Sequence, residues 1–163
     1  MRMRFVWAMA ALPLAIGAVS HSAHAQEAAK LFFEGDMARG PQPGLAPCVM
    51  TSQFHRKETV VFRIRVVDPD GKALDDKGLK SLVVELSNGQ SLPMRYHRHP
   101  PPPAEITDFF WVVPWSIPED FPTGSLTYKV VATDLAGKVA TWQPFKIATS
   151  QLTVIADASP PAK

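Results

Sequence analysis

Val60-Val61-Phe62-Arg63-Ile64-Arg65-Val66-Val67 runs directly into Asp68-Pro69-Asp70-Gly71. Val60, Phe62, Ile64 and Val66 form one alternate set, and Val61, Arg63, Arg65 and Val67 form the other. Successive side chains of an extended chain point to opposite faces. The first set therefore makes a continuous apolar face, while the second carries two arginines to water. A helical period would mix the two sets, so the stretch predicts a half-buried β-strand. The residues that follow end it, because proline presets φ and glycine permits positive φ in a tight turn.

The same signature recurs outward from this strand. Leu82, Val84 and Leu86 alternate with Val83 and Glu85, and Asn88-Gly89 follows. That pair predicts a two-residue type I′ hairpin, whose two centres both need positive φ. Leu92, Met94 and Tyr96 then form the return face. His99 and the run Pro100 to Pro103 stop the strand, since proline offers no N–H to a ladder. Phe109 to Trp115 is apolar on both faces and predicts a central strand covered on both sides. Leu126, Tyr128, Val130 and Ala132 alternate with Thr127, Lys129, Val131 and Thr133, and Asp134-Leu135-Ala136-Gly137 turns the chain. Val139 to Ile147 and Gln151 to Ile155 supply the last strands. Toward the N-terminus, Leu31-Phe32-Phe33 reads as a short edge strand. It leads into an irregular arm rich in Gly and Pro (Gly35, Gly40, Pro41, Pro43, Gly44, Pro47). No stretch of 12 residues holds a helical period, and Asp75 to Lys80 makes one turn at most. Seven or eight strands at roughly ten-residue spacing predict an all-β fold, a single antiparallel β-sandwich.

Two segments carry a resemblance. VVDPDGKAL at Val66–Leu74 resembles the hairpin of bacterial Ig-like (immunoglobulin or fibronectin-III-type) domains, in which a strand ends in an Asp-x-x-Gly turn. PTGSLTYKVVATDLAG at Pro122–Gly137 is similar to the late hairpin of that superfamily, where Gly precedes a strand carrying Tyr and then Ala-x-Asp-x-x-Gly. The similarity spans about residues 58–155. It implies one Ig-like sandwich. Such domains serve as adhesin spacers, enzyme appendages, carbohydrate contacts and periplasmic accessory proteins. The Cys-Trp-Cys pattern of antibody domains has no counterpart, because the chain has one Cys.

The chain has 163 residues, 46% hydrophobic and 20% charged, with 16 Pro and 9 Gly. It is too apolar for a wholly disordered protein and too short for two ordinary domains. Residues 1–25 read as a secretory signal: Arg2 and Arg4 start it, Phe5 to Val19 is its apolar run, and Ala23-His24-Ala25 is the cleavage pattern. The apolar run falls short of the roughly 20 residues a spanning helix needs. The mature chain would begin at Gln26. An N-terminal arm with one short strand then occupies 26–47, the sandwich 48–156 and a polar tail 157–163. The expected location is the periplasm, or the medium, after cleavage near Ala25. Without Arg2 and Arg4 the 17 basic residues become 15, against 15 acidic ones. That balance offers no basic patch for nucleic acid. No second apolar run exists, so no membrane insertion is expected after cleavage.

Gly-x-Ser-x-Gly and phosphate-cradling glycine loops are absent. The adjacent carboxylates Asp75-Asp76 and Glu119-Asp120 suit turns, so no enzymatic activity is expected. Soft metal binding is the sharper alternative. Cys48 and Met50 lie two apart, as do His97 and His99, so each pair shares one face of a strand. Thiolate and thioether prefer Cu(I). Cys48, Met50, His97 and His99 therefore make a candidate copper set, with His55 and Met94 in reserve. Against it, Arg95 and Arg98 flank the histidines, Cys and Met pack well in cores, and cupredoxins gather their ligands near the C-terminus. Asp68, Asp70, Asp75, Asp76 and Asp134 offer oxygens to calcium, but Asp also favours turns on its own account. The expected cofactor is none. Tyr96, Pro101, Phe110 and Trp115 remain as a partner-binding set, beside a stiff proline loop, although such rings also suit a sandwich core. The expectation is a non-catalytic exported accessory or binding protein, acting on another periplasmic or envelope protein through an aromatic sheet face and the proline-rich loop.

Overall fold

The computed structural model describes residues 28–41, 48–99, 103–106 and 108–156. The expected signal peptide, the C-terminal tail and Pro101 lie outside them. Among the described residues eleven strands form: β1 (Phe32–Arg39), β2 (Gln53–Phe54), β3 (Thr59–Val67), β4 (Leu79–Leu86), β5 (Ser91–Pro93), β6 (Arg95–His99), β7 (Asp108–Ser116), β8 (Gly124–Leu126), β9 (Tyr128–Asp134), β10 (Val139–Trp142) and β11 (Leu152–Val154). Two antiparallel four-stranded sheets, ordered β1-β3-β7-β6 and β10-β9-β4-β5, make the sandwich. A small third sheet, β2-β11-β8, contains the parallel pair β2–β11. Among the described residues, no helix is long and apolar enough to cross a membrane.

The alternation that opened the sequence reading positions the core. Val60, Phe62, Ile64 and Val66 of β3 are all buried against Leu82, Val84 and Leu86 of β4 and Tyr128, Val130 and Ala132 of β9. Phe62 meets Tyr128 edge-on, with ring centroids 5.1 Å apart. Each fully buried aliphatic or aromatic side chain of this kind stabilises the fold by roughly 1.5–3 kcal/mol. Phe54, Leu126, Leu152 and Val154 of the third sheet extend the same core.

Four elements differ from the sequence reading. β1 is eight residues long and pairs with β3 over its whole length, from Phe32↔Val67 to Arg39↔Val60. It belongs to the sandwich, so the domain begins before residue 48. Its apolar alternation is weak because Gly35 interrupts the inner face. The segment after β4 is two strands in two sheets. Leu92 pairs with Val84, whereas Arg95 pairs with Val112, and the buried Met94 makes the crossing. Pro93, with no N–H to give, suits the edge of the second sheet. β7 is covered on one face only: Trp111, Val113 and Trp115 are buried, while Phe110 and Val112 are half-buried and Pro114 is exposed.

The Asn88-Gly89 hairpin is the fourth difference. It has a three-residue loop, in which the Gly89 N–H donates to the Leu86 carbonyl and the Leu86 N–H to the Gln90 carbonyl. Only Gly89 has positive φ, at 88°. This is a type I turn closed by a glycine bulge, which needs one left-handed residue where type I′ needs two. Asp68–Lys72 and Asp134–Lys138 repeat the same pair of backbone bonds.

Truncating Phe62 to Ala should cost about 3–5 kcal/mol, because it empties a site with no room to collapse. Leu135→Ala, at a position 68% exposed, should stay within about 0.5 kcal/mol. Urea midpoints at constant slope would check both.

Candidate functional site

The structure places the two soft-ligand pairs on different edges, and Cys48 lies in a turn with φ of 60° and not in an extended strand. Residues 48–50 lie along the outer edge of β1. There the Cys48 N–H donates to the Arg39 carbonyl, the Arg39 N–H donates to the Val49 carbonyl, and Met50 bridges Ala38. His97 and His99 share the outer face of β6, opposite Phe110 and Asp108. β1 and β6 are the two edges of one sheet. Four inter-strand steps therefore part the Cys48 segment from β6, about 19 Å at the usual spacing. Metal–ligand bonds of about 2.0–2.3 Å cannot bridge that gap. Met94 faces the core and His55 follows β2, so neither reserve joins the two halves. Among the described residues, no group of three or more His, Cys, Asp or Glu converges. Spacing showed which residues share a strand face, but not which strands are neighbours.

The aspartates are engaged locally. Asp68 Oδ1 accepts from the Asp70 and Lys72 N–H groups, and Asp134 Oδ1 accepts from Lys138. Asp75 Oδ1 accepts from the Lys77 and Gly78 N–H groups at 2.9 and 3.0 Å. These bonds, led by that from Lys77, hold Asp75 below the usual carboxylate range.

The aromatic set divides three ways. Trp115 is interior and packs edge-on against Phe121 at 5.4 Å, so it is no partner contact. Tyr96 lies half-buried between Phe109, stacked at 5.8 Å, and Trp111, edge-on at 5.7 Å. Trp111 is itself buried, and its Nε1–H donates to the Leu74 carbonyl. Phe110 points to the other face of β7, against His99 and beneath the Arg63 guanidinium. Burial in a small sandwich claimed Trp111 and Trp115, so among the described residues this set makes no continuous aromatic face.

Ion pairs cross the outer face of the first sheet. Asp36 and Arg63 are register partners, and the guanidinium donates to both carboxylate oxygens, at 2.6 and 2.7 Å. The hydrogen bond to Asp36 raises the Arg63 pKa above its ordinary value. Arg65 pairs with Asp108 and reaches toward Glu34 at 3.9 Å.

Two depressions lie on the lateral side where β1 and β10 edge the two sheets. Trp142 spans this seam. A Cβ on Gly35 would stand 2.5 Å from Ile64 Cδ1 and 3.3 Å from the Trp142 ring. Glycine thus leaves room chiefly for the Ile64 Cδ1 methyl and secondarily for the Trp142 ring beside β1. On one side of Trp142 is a groove of about 640 Å3, lined by Asp36, Met37, Met50, Tyr128 and Phe145. On the other is a depression of about 610 Å3, reaching Phe32 and Val139. Both volumes suit a ligand or an anchoring side chain. Phe145 is 80% exposed, Met50 66% and Phe32 64%. The sequence reading assigned no role to this seam. Its one legible signal was Gly35 inside an apolar strand, which marks a close approach.

Burial pushes the Tyr128 phenol up to about 12, and the Asp36 charge adds to the shift. The folded value lies above the ordinary 10.0. The associated stability is therefore full below pH 10 and lost as the pH rises toward 12. Chemical denaturation between pH 9 and 12 should show this decline, and Tyr128→Phe should flatten it. An identical slope in both proteins would contradict the assignment.

No protein-family model, curated protein or solved structure matches this chain.

Proposed function

We propose that the protein is an exported, non-catalytic binding protein of the cell envelope, which grips an extended apolar segment of a protein partner along the β1–β10 seam. The seam carries this reading. Its rims are edge strands, its floor is aromatic, and exposed apolar side chains stand at both ends. On β10, Ala29 takes the Val139 carbonyl. Thr141, two residues on, directs its backbone groups the same way, toward an incoming strand. Addition of a strand at an edge provides main-chain hydrogen bonds, and pockets for alternate side chains provide selectivity. The two depressions beside Trp142 are placed to act as such pockets.

An Ig-type identity is consistent with this role. Immunoglobulin sandwiches set strands A-B-E-D against C-F-G, with C′ beside C in variable-type domains. With β2, β8 and β11 of the third sheet set aside, lettering the remaining strands in chain order makes β1-β3-β7-β6 read A-B-E-D and β10-β9-β4-β5 read G-F-C-C′, which supports the reading. The periplasmic or extracellular location rests on the signal pattern of residues 1–25. The non-catalytic character rests on the engagement of the acids in turns and ion pairs.

Photo-cross-linking in cells tests this proposal. A photoreactive residue at position 145 should yield a discrete protein adduct, and Thr141→Pro should abolish it without shifting the melting temperature of the purified protein. The same probe at Leu135, itself 68% exposed, should yield none. Equal adducts from both positions, or none from 145, would overturn the reading.

A further inference from the structure

The opposite lateral side, where the chain changes sheets, holds a further groove. β6 covers β7 only from Asp108 to Val112, because pairing ends at Arg95 and the chain crosses at Met94. Beyond Val112, β7 continues to Ser116 without β6 beside it. A groove of about 620 Å3 occupies this corner. Its floor is Val61, Val112 and Pro114 on the outer face of β3 and β7, Leu92 forms a wall, and Arg95 and His97 form the rim.

The charges on this face are unevenly matched. Asp36 is taken by Arg63, and Asp108 and Glu34 by Arg65. Arg95 and His97 have no side-chain hydrogen bond or ion pair among the described residues. Behind β6, Asp76 and Lys80 face them as one charge of each sign. The rim is therefore cationic above an apolar floor. A guanidinium with unused donors binds a carboxylate strongly, and Arg is suited to it by its planar fork.

We propose that this corner binds an amphipathic anion: a small molecule with an apolar tail, laid on the Val61–Val112–Pro114 floor, and a single carboxylate held by Arg95 with His97 beside it. The groove volume lies in the range of small-molecule sites. The site shares no residue with the seam, so either can fail without the other.

Calorimetric titration with decanoate tests the proposal, with decyltrimethylammonium as a probe of equal tail and opposite charge. Decanoate should bind saturably at one site, and the cation should not. Arg95→Glu should weaken decanoate by about tenfold or more without changing the melting temperature, whereas Phe145→Asp in the seam should leave binding unchanged. Should Arg95→Glu fail to fold, Pro114→Glu places a carboxylate at an exposed floor position, and the same loss is expected. No saturable decanoate binding, equal affinity for the cation, equal affinity in Arg95→Glu, or loss in Phe145→Asp would each overturn the proposal.

Discussion

The contact of Phe62 with Tyr128 joins β3 of one sheet to β9 of the other, and most of the architecture depends on burying those two inner faces together. A sheet that is apolar on one face must cover it. β3 supplies four alternate residues that are almost wholly buried, and β4 and β9 answer with the same period. The turns make this economical in residues. Three loops use the same type I turn with a glycine bulge; two return the chain in register, from β4 to β5 and from β9 to β10, and the third closes on the Val67–Ala73 bridge. With both faces of the interior occupied, function is left to the outer faces and to the two lateral sides.

Those lateral sides differ for a physical reason. On one, the chain itself crosses from β5 to β6 through Met94 and ties the sheets together. On the other, residues 28–31 pass the β10 edge, where the Ala29 N–H donates to the Val139 carbonyl, before entering β1, and Trp142 lies beside Gly35. The edges also differ in character. β6 carries Arg95, Arg98 and two histidines, the kind of charged edge that discourages unplanned strand pairing. β10 shows Val139 and Thr141 at its edge and carries no charge along its length. An edge so lightly guarded beside exposed apolar side chains is where a partner strand meets least resistance.

Strands with a full period of two were legible in the sequence. Val60 to Val67, Leu82 to Leu86 and Tyr128 to Thr133 lie where alternation places them, because one face of each is buried and the other is wet. β1 was shortened in the reading, because Gly35 and the exposed Glu34 and Phe32 blur its pattern. The sheet change at Met94 was illegible: Leu92, Met94 and Tyr96 keep their alternation while their neighbours change. The candidate site suffered for the same reason. His97 and His99 share a strand face as their spacing implies, whereas Cys48 lies in a turn; sheet order decides whether the two pairs meet, and they lie on opposite edges. Trp115 drew attention as an aromatic anchor, yet a domain of this size uses such rings to fill its interior. Trp142 passed without notice, since its importance comes from a glycine over a hundred positions away in the chain.

Nuclear Overhauser contacts between the Gly35 α-protons and the Trp142 indole test the arrangement of the seam most directly. The account predicts strong cross-peaks there, alongside those between the Phe62 and Tyr128 rings that report the interior. A spectrum with the Phe62–Tyr128 contacts intact but no Gly35–Trp142 contact would contradict it, because the sandwich would then stand without the closed floor on which the proposed partner segment rests.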